Sequence, residues 1–230
     1  NANCNEEKID IVCDLMSFSY IEKLVLFLNR KINRLRLSNK NFTIIANTCL
    51  GGLIYHQLGE QFCSPTINCG IREPSEFNIF AANLRYYLSL PIDFIPSRFQ
   101  YPVGVLHGEF GDVTVYFTHY HSEKEAKTKW ESRAKRVRYD NVFLLVDGDN
   151  CPDQDVYDFD KIPIKNKALI SMKEYSGLTS VFTIKNPKYE QGDLLKKKLL
   201  HGSLYWFEIF DYVHYFNKGE LRTRRLFKNS

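Results

Sequence analysis

The chain has 230 residues, 44% hydrophobic and 25% charged, with a formal net charge of +4; that balance excludes low-complexity and fibrous classes and is too near neutral to be the footprint of a nucleic-acid binder. No apolar run approaches the ~20 residues of a membrane span, and no signal peptide is read. The six cysteines, at 4, 13, 49, 63, 69 and 151, fit no zinc spacing and are too sparse for a disulfide scaffold, so reduced thiols in a cytoplasm are expected, with a Cys63–Cys69 bridge as the alternative.

The N-terminal segment, 5–37, reads as helical. Ile21, Leu24, Val25, Leu28, Ile32 and Leu35 recur at three and four, while Lys23, Asn29, Arg30, Lys31 and Arg34 take the other side. The expectation is an apolar face packed on the domain and a solvated basic face. The alternative is a peripheral helix lying on an anionic membrane.

Residues 42–46 form a short buried strand, and Leu53–Leu58 the following helix. Between them lies Asn47-Thr48-Cys49-Leu50-Gly51-Gly52. A polar, glycine-bearing turn between strand and helix is where α/β proteins place chemistry, because helix N-termini offer free N–H groups and partial positive charge. Asn47 offers a side-chain donor, Cys49 a thiol near a helix N-terminus, and Gly51 and Gly52 a close backbone approach. The competing reading is a buried thiol and a simple turn.

Pro65–Asn68 reads as a second short strand and 75–89 as one helix, followed by a loop punctuated by Pro91, Pro96 and Pro102. Residues 112–118 are β-branched and aromatic, hence a strand. Ser122 and Glu125 form a capping box that opens a helix to about Val137. Val142–Val146 is an unbroken apolar run, the mark of a strand buried on both faces. Strand, helix and strand together read as a βαβ unit. A short helix at 153–160 and strands at 167–172 and 181–184 follow. The fold class is therefore α/β: a single domain, 1–230, with a central mixed, largely parallel sheet flanked by helices over 41–185 and an irregular part over 186–230.

Two further polar turns accompany Asn47. His119 and His121, after the 112–118 strand, alternate to one side and suit a base and an anchor, or the binding of a metal. Asp147-Gly148-Asp149 follows the apolar run, and its acidic pair suits a divalent metal or a helix cap. The basic helix contributes Arg133, able to bind phosphate if it turns toward the strand ends. Asp211 and His214 form a D-x-x-H, the pairing by which an aspartate orients a histidine base.

Residues 41–55, Asn-Phe-Thr-Ile-Ile-Ala-Asn-Thr-Cys-Leu-Gly-Gly-Leu-Ile-Tyr, resemble the start of a bacterial domain family of unknown function whose members are often labelled exopolysaccharide or capsular polysaccharide biosynthesis proteins. The resemblance continues through Ser64–Asn68, Tyr86-Tyr87-Leu88, Tyr101–Gly104, His119-Tyr120, Glu125-Ala126, Lys129-Trp130, Arg133, Arg136 and Tyr139–Asn141. It implies an α/β fold and a role near surface-polysaccharide synthesis. It singles out Asn47, Cys49, Gly51, Gly52, His119, Asp149 and Cys151. It would place lysine at 121 and arginine at 148, where this chain has His121 and Gly148.

Three functions follow as expectations. The first is a transferase with a nucleotide-sugar or acyl donor and a small-molecule or glycan substrate. Its strand-end cleft would carry His119, Cys49 and Asp149, with Asn47, Gly51, Gly52, Tyr55, His121 and Arg133 in binding. The second is an esterase-like hydrolase with Cys49 or Thr48 as nucleophile and His214 as base. The third is a non-catalytic glycan- or anion-binding protein using the basic helix at 20–36. The cofactor stays unassigned.

Overall fold

The computed structural model describes residues 20–200 and 202–227. The part of the N-terminal helix expected before residue 20, with Cys4 and Cys13, lies outside them. The central sheet has four strands: β1 (Thr43–Ala46), β5 (Val142–Asp147), β6 (Asn166–Ser171) and β7 (Val181–Thr183). Their order is β1-β5-β6-β7, and every neighbouring pair is parallel.

Alternation along these strands divides the core. Ile44, Ala46, Phe143, Leu145, Ala168, Ile170 and Phe182 point to one layer, with α2 (Leu50–Leu58) and α7 (Tyr212–Lys218). Ile45, Val142, Leu144, Val146 and Leu169 point to the other, with α3 (Pro74–Ala82), α5 (Glu123–Ala134) and α6 (Asp153–Lys161). With helices on both faces, β5 is buried from Val142 to Val146, as its unbroken apolar run requires. Burying each such side chain contributes about 1.5–3 kcal/mol.

The second layer also carries an antiparallel sheet, β2 (Asp93–Ile95), β3 (Val103–Gly108) and β4 (Gly111–Tyr116). This corrects the expected βαβ unit. The strand before α5 does not join the parallel sheet; it pairs with β3 through a tight turn at Glu109-Phe110. The parallel crossover unit is instead β5-α6-β6.

Three other elements differ from the sequence expectation. Residues 65–68 are a turn, with Asn68 at a positive φ of 64°. The 75–89 helix breaks at Asn83 into α3 and α4 (Leu84–Tyr87), and the Asn83 side chain bonds back to the Ile79 carbonyl. Helix α5 stops at Ala134, while its predicted start holds: Ser122 Oγ accepts from Glu125 N–H at 3.2 Å.

The C-terminal part forms β8 (Lys197–Leu199), β9 (Leu204–Tyr205), a 3-10 turn at Trp206–Ile209 and α7. Its Trp206, Phe207, Tyr215 and Phe216 fill the first layer. No helix among the described residues is long and apolar enough to cross a membrane.

Helix α1 (Tyr20–Arg36) inverts the expectation. Its inward residues are Leu26, Asn29 and Asn33. Asn29 Nδ2 donates to Glu208 at 2.5 Å, Asn33 Nδ2 to the Tyr212 hydroxyl at 2.6 Å, and Arg36 to Asp211 at 2.6 Å. Glu208 is itself fully buried and lies 3.6 Å from Arg224. Buried polar groups cost stability unless hydrogen-bonded. This network therefore fixes which side of α1 faces in, and the aliphatic stripe faces out.

Candidate active site at the ends of the parallel strands

The carboxyl ends of β1 and β5 lie side by side. Asn47, the first residue past β1, is buried and reaches across to its neighbour strand. Its Nδ2 donates to the Asp147 carbonyl at 3.1 Å, and its Oδ1 accepts from the Asp147 N–H at 2.9 Å. One side chain thus replaces the ladder where the two strands stop pairing, and Asp147 leaves β5 in a fixed direction.

The Asp147 carboxyl is pushed up to about 6, first by burial and then by the neighbouring Asp149 carboxylate, against the Asp149 N–H donated to it at 3.3 Å. A carboxyl with that value changes charge near neutral pH. Asp149 is held from the other side. Its Oδ2 accepts from the Tyr189 hydroxyl at 2.5 Å and from the Gly192 N–H at 2.8 Å, while its buried Oδ1 has no hydrogen-bond partner among the described residues. Burial and the Asp149 carboxylate both raise the Tyr189 phenol, so it stays a donor.

Gly148, between the two aspartates, owes its place to space. A Cβ there would stand 2.3 Å from Leu169 Cδ2 and 3.0 Å from the Ile170 carbonyl oxygen. Its N–H bonds that same carbonyl at 2.9 Å. The turn is pressed onto β6, and any side chain at this position requires Leu169 to move aside and the Ile170 carbonyl to give slightly.

Cys49 caps α2 and lies 3.8 Å from Thr118 Oγ1. Burial pushes its thiol up despite the helix N-terminus. Gly51 and Gly52 press α2 onto its surroundings: a Cβ on Gly51 would sit 3.4 Å from Ala46 and Ile44, and one on Gly52 3.3 Å from Ile67 and 3.4 Å from Asn68 Oδ1. The end of β4 reaches the same region. Gly70 N–H donates to Tyr116 O at 2.9 Å, and Asn68 O accepts from His119 N–H at 3.3 Å.

His119 is therefore at the rim beside the Cys49 turn, exposed, although β4 is not a strand of the parallel sheet. The strand ends at Tyr116, so His119 and His121 sit in the following turn and strand alternation does not align them. His121 is exposed, and its N–H donates to Glu125 at 3.2 Å, in effect extending the cap of α5.

Two residues expected to bind substrate lie in the interior. The Tyr55 hydroxyl accepts from Ile44 N–H at 3.0 Å and donates to Phe42 O at 3.2 Å, which anchors α2 to β1. Arg133 Nη1 donates to Ile67 O at 3.1 Å and to the Tyr120 hydroxyl at 2.5 Å, with its guanidinium over the Phe62 ring. It joins α5 to the 62–69 segment.

Asp211 and His214 do not form a dyad of base and orienter. The Asp211 carboxylate pairs with Arg36 and Arg222 and caps α7 through His214 N–H, while the His214 ring meets Glu220 at 3.0 Å. Among the described residues no disulfide joins Cys63 to Cys69, and Cys49 and Cys151 are likewise unbridged. Among the described residues no group of three or more His, Cys, Asp or Glu is placed to hold a metal ion.

Sequence reasoning missed Arg72. Ile71 N–H donates to Asn47 O at 3.0 Å, so Arg72 follows directly on the site's backbone. Its guanidinium lies over the Tyr116 and Phe99 rings, 4.2 and 5.0 Å from their centroids, and donates to the Tyr101 hydroxyl at 2.5 Å. Phe99 and Tyr101 stack at 5.0 Å and 5°. No local pattern around Arg72 signals this, because the rings come from a proline-punctuated loop and from β4.

Comparison with known proteins places the chain in a family. Residues 20–217 match the family described as Domain of unknown function (DUF1919). A protein of Haemophilus influenzae with the name "Uncharacterized protein" is 36% identical over 194 residues, covering 83% of this chain and 91% of that one. The chain belongs to the DUF1919 family.

Proposed function

We propose that this member of the DUF1919 family is a transferase that moves a glycosyl or acyl group onto a sugar hydroxyl, acting in the assembly of a surface polysaccharide. The observation that carries the reading is Asp147, whose backbone Asn47 holds at the end of β5 and whose carboxyl is pushed up to about 6. Such a group is ionised at neutral pH yet basic enough to take a proton from an attacking hydroxyl, the work of a general base. Asp147 suits that role better than His119, which is exposed at the rim.

The surroundings divide by charge. Asp147 and Asp149 are hydrogen-bond acceptors and suit the hydroxyl groups of a neutral sugar. A phosphate would be repelled there and is better met by Arg72, whose guanidinium is oriented by Phe99, Tyr101 and Tyr116. Aromatic faces beside it suit a nucleobase or the apolar face of a sugar. A nucleotide sugar or an acyl-coenzyme A carries both a phosphate and a ring, so this pairing supports either donor. The surface-polysaccharide setting rests on the family resemblance of the sequence.

The test is a transfer assay with a panel of nucleotide sugars and acetyl-coenzyme A against mono- and oligosaccharide acceptors, following release of nucleotide or free thiol. Turnover by the wild type that falls about 10²–10⁴-fold in Asp147→Asn supports a base at that position. Turnover unchanged by that substitution overturns it.

The hydrolase reading has less support. Burial raises the Cys49 thiol, and the Asp211 carboxylate is engaged by two arginines.

A further inference from the structure

Seven of the thirteen large apolar side chains exposed among the described residues belong to α1. Ile21, Leu24, Phe27, Leu28, Ile32 and Leu35 are each 45–85% exposed. At about 100° per residue they fall within an arc of about 140°. Contiguous exposed apolar surface on this scale marks an interaction site. The helix cannot rotate to bury it, because Asn29, Asn33 and Arg36 hold the opposite side through Glu208, Tyr212 and Asp211.

The charges choose the partner. Lys23, Lys31 and Arg34 are exposed; Lys23 and Arg34 line one flank of the stripe, and Lys31 stands just inside that edge, its Nζ 5.5 Å from the centroid of the exposed Phe27 ring. The single acidic residue of the helix, Glu22, falls on the other side. A second copy docked stripe to stripe would bring these cations together with no carboxylate on the face to offset them. An anionic lipid surface supplies phosphates to the flank and an apolar phase to the stripe.

We propose that α1 is a peripheral membrane-docking helix that lies flat on an anionic bilayer. Its 17 residues span about 26 Å, parallel to the surface. The aliphatic stripe enters the interface, and Lys23, Lys31 and Arg34 meet lipid phosphates. The inference is independent of the reaction proposed above.

The experiment is co-sedimentation of the full chain with vesicles of phosphatidylcholine alone and of phosphatidylcholine with phosphatidylglycerol in equal parts. Light scattering gives the oligomeric state in parallel. The wild type is expected to be a monomer that sediments with the anionic vesicles. Lys31→Glu is expected to lower its partition about fivefold or more, and Leu28→Asp about tenfold or more. Both side chains are exposed, so both variants should melt with the wild type; a variant that does not is replaced by Lys23→Glu or Leu24→Ser. Absence of sedimentation, or sedimentation indifferent to both substitutions, overturns the proposal. So does a dimer that Leu28→Asp dissociates, which would make the stripe an interface between copies.

Discussion

Asn47 and Asp147 are 100 residues apart in the chain, yet the amide of one closes both hydrogen bonds on the backbone of the other. That link ties the loop after β1 to the loop after β5 and fixes the backbone that carries the carboxyl of the proposed reaction. Replacing it separates position from chemistry. Asn47→Ala leaves an N–H and a carbonyl of Asp147 without their partner, and is expected to cost about 2 kcal/mol in denaturant unfolding. Asn47→Asp keeps the acceptor, loses the donor and adds a negative charge beside Asp147. It should raise the Asp147 carboxyl further, and carbon-13 titration of the carboxylates would show the move.

Asp147 also makes stability depend on pH. Its folded value of about 6 exceeds the ordinary 3.8, so the folded state holds this proton more tightly than the unfolded state does. Its contribution is therefore complete below about pH 4 and is lost as pH rises through 6, by at most about 3 kcal/mol. Asp147→Asn cannot titrate. Between pH 4 and 7 its stability, relative to wild type, should rise, and parallel urea melts at the two values check this.

Gly148→Ala tests the pressure of the β5 turn on β6. The added methyl would meet Leu169 at 2.3 Å and the Ile170 carbonyl oxygen at 3.0 Å. A loss of about 1–3 kcal/mol is expected, because Leu169 must repack around the methyl. Gly52→Ala has a nearest contact of 3.3 Å to a methyl group and should cost less. Thermal melts of the two variants give the order.

Cys49 separates the transferase from the hydrolase. Its thiol is raised by burial, so labelling by iodoacetamide at pH 7 should be slower than for a free thiol. Cys49→Ala should retain turnover within a few-fold. Rapid selective labelling together with loss of turnover would restore the nucleophile.

The legible parts of this fold are those decided locally. The apolar run Val142–Val146 announces a strand covered on both faces, and Ser122 with Glu125 announces the start of α5. What pairs with what was not legible. The β4 strand shows its own propensity but not its partner, because β3 follows three prolines and carries Gly104 and Gly108, which read as loop. The α1 pattern shows which residues share a face, but only Glu208 and Tyr212, far along the chain, decide that the asparagine face turns inward. The three polar turns were visible as such. That Asn47 serves Asp147, that Arg133 and Tyr55 are interior, and that Arg72 is oriented by aromatic rings depend on contacts between distant segments.

The central claim, that the ends of β1 and β5 bind the donor and acceptor, is most directly tested by thermal shift of the wild type and of Asn47→Asp. The panel holds nucleotide sugars with and without Mn²⁺, acetyl-coenzyme A and free glycans. A ligand bound only by the native state at about 100 times its Kd adds ~2.7 kcal/mol and raises Tm. At least one member is expected to raise the Tm of the wild type, and Asn47→Asp, folded but altered at Asp147, is expected to lose that rise. No rise with any member, or an equal rise in both proteins, would contradict the claim.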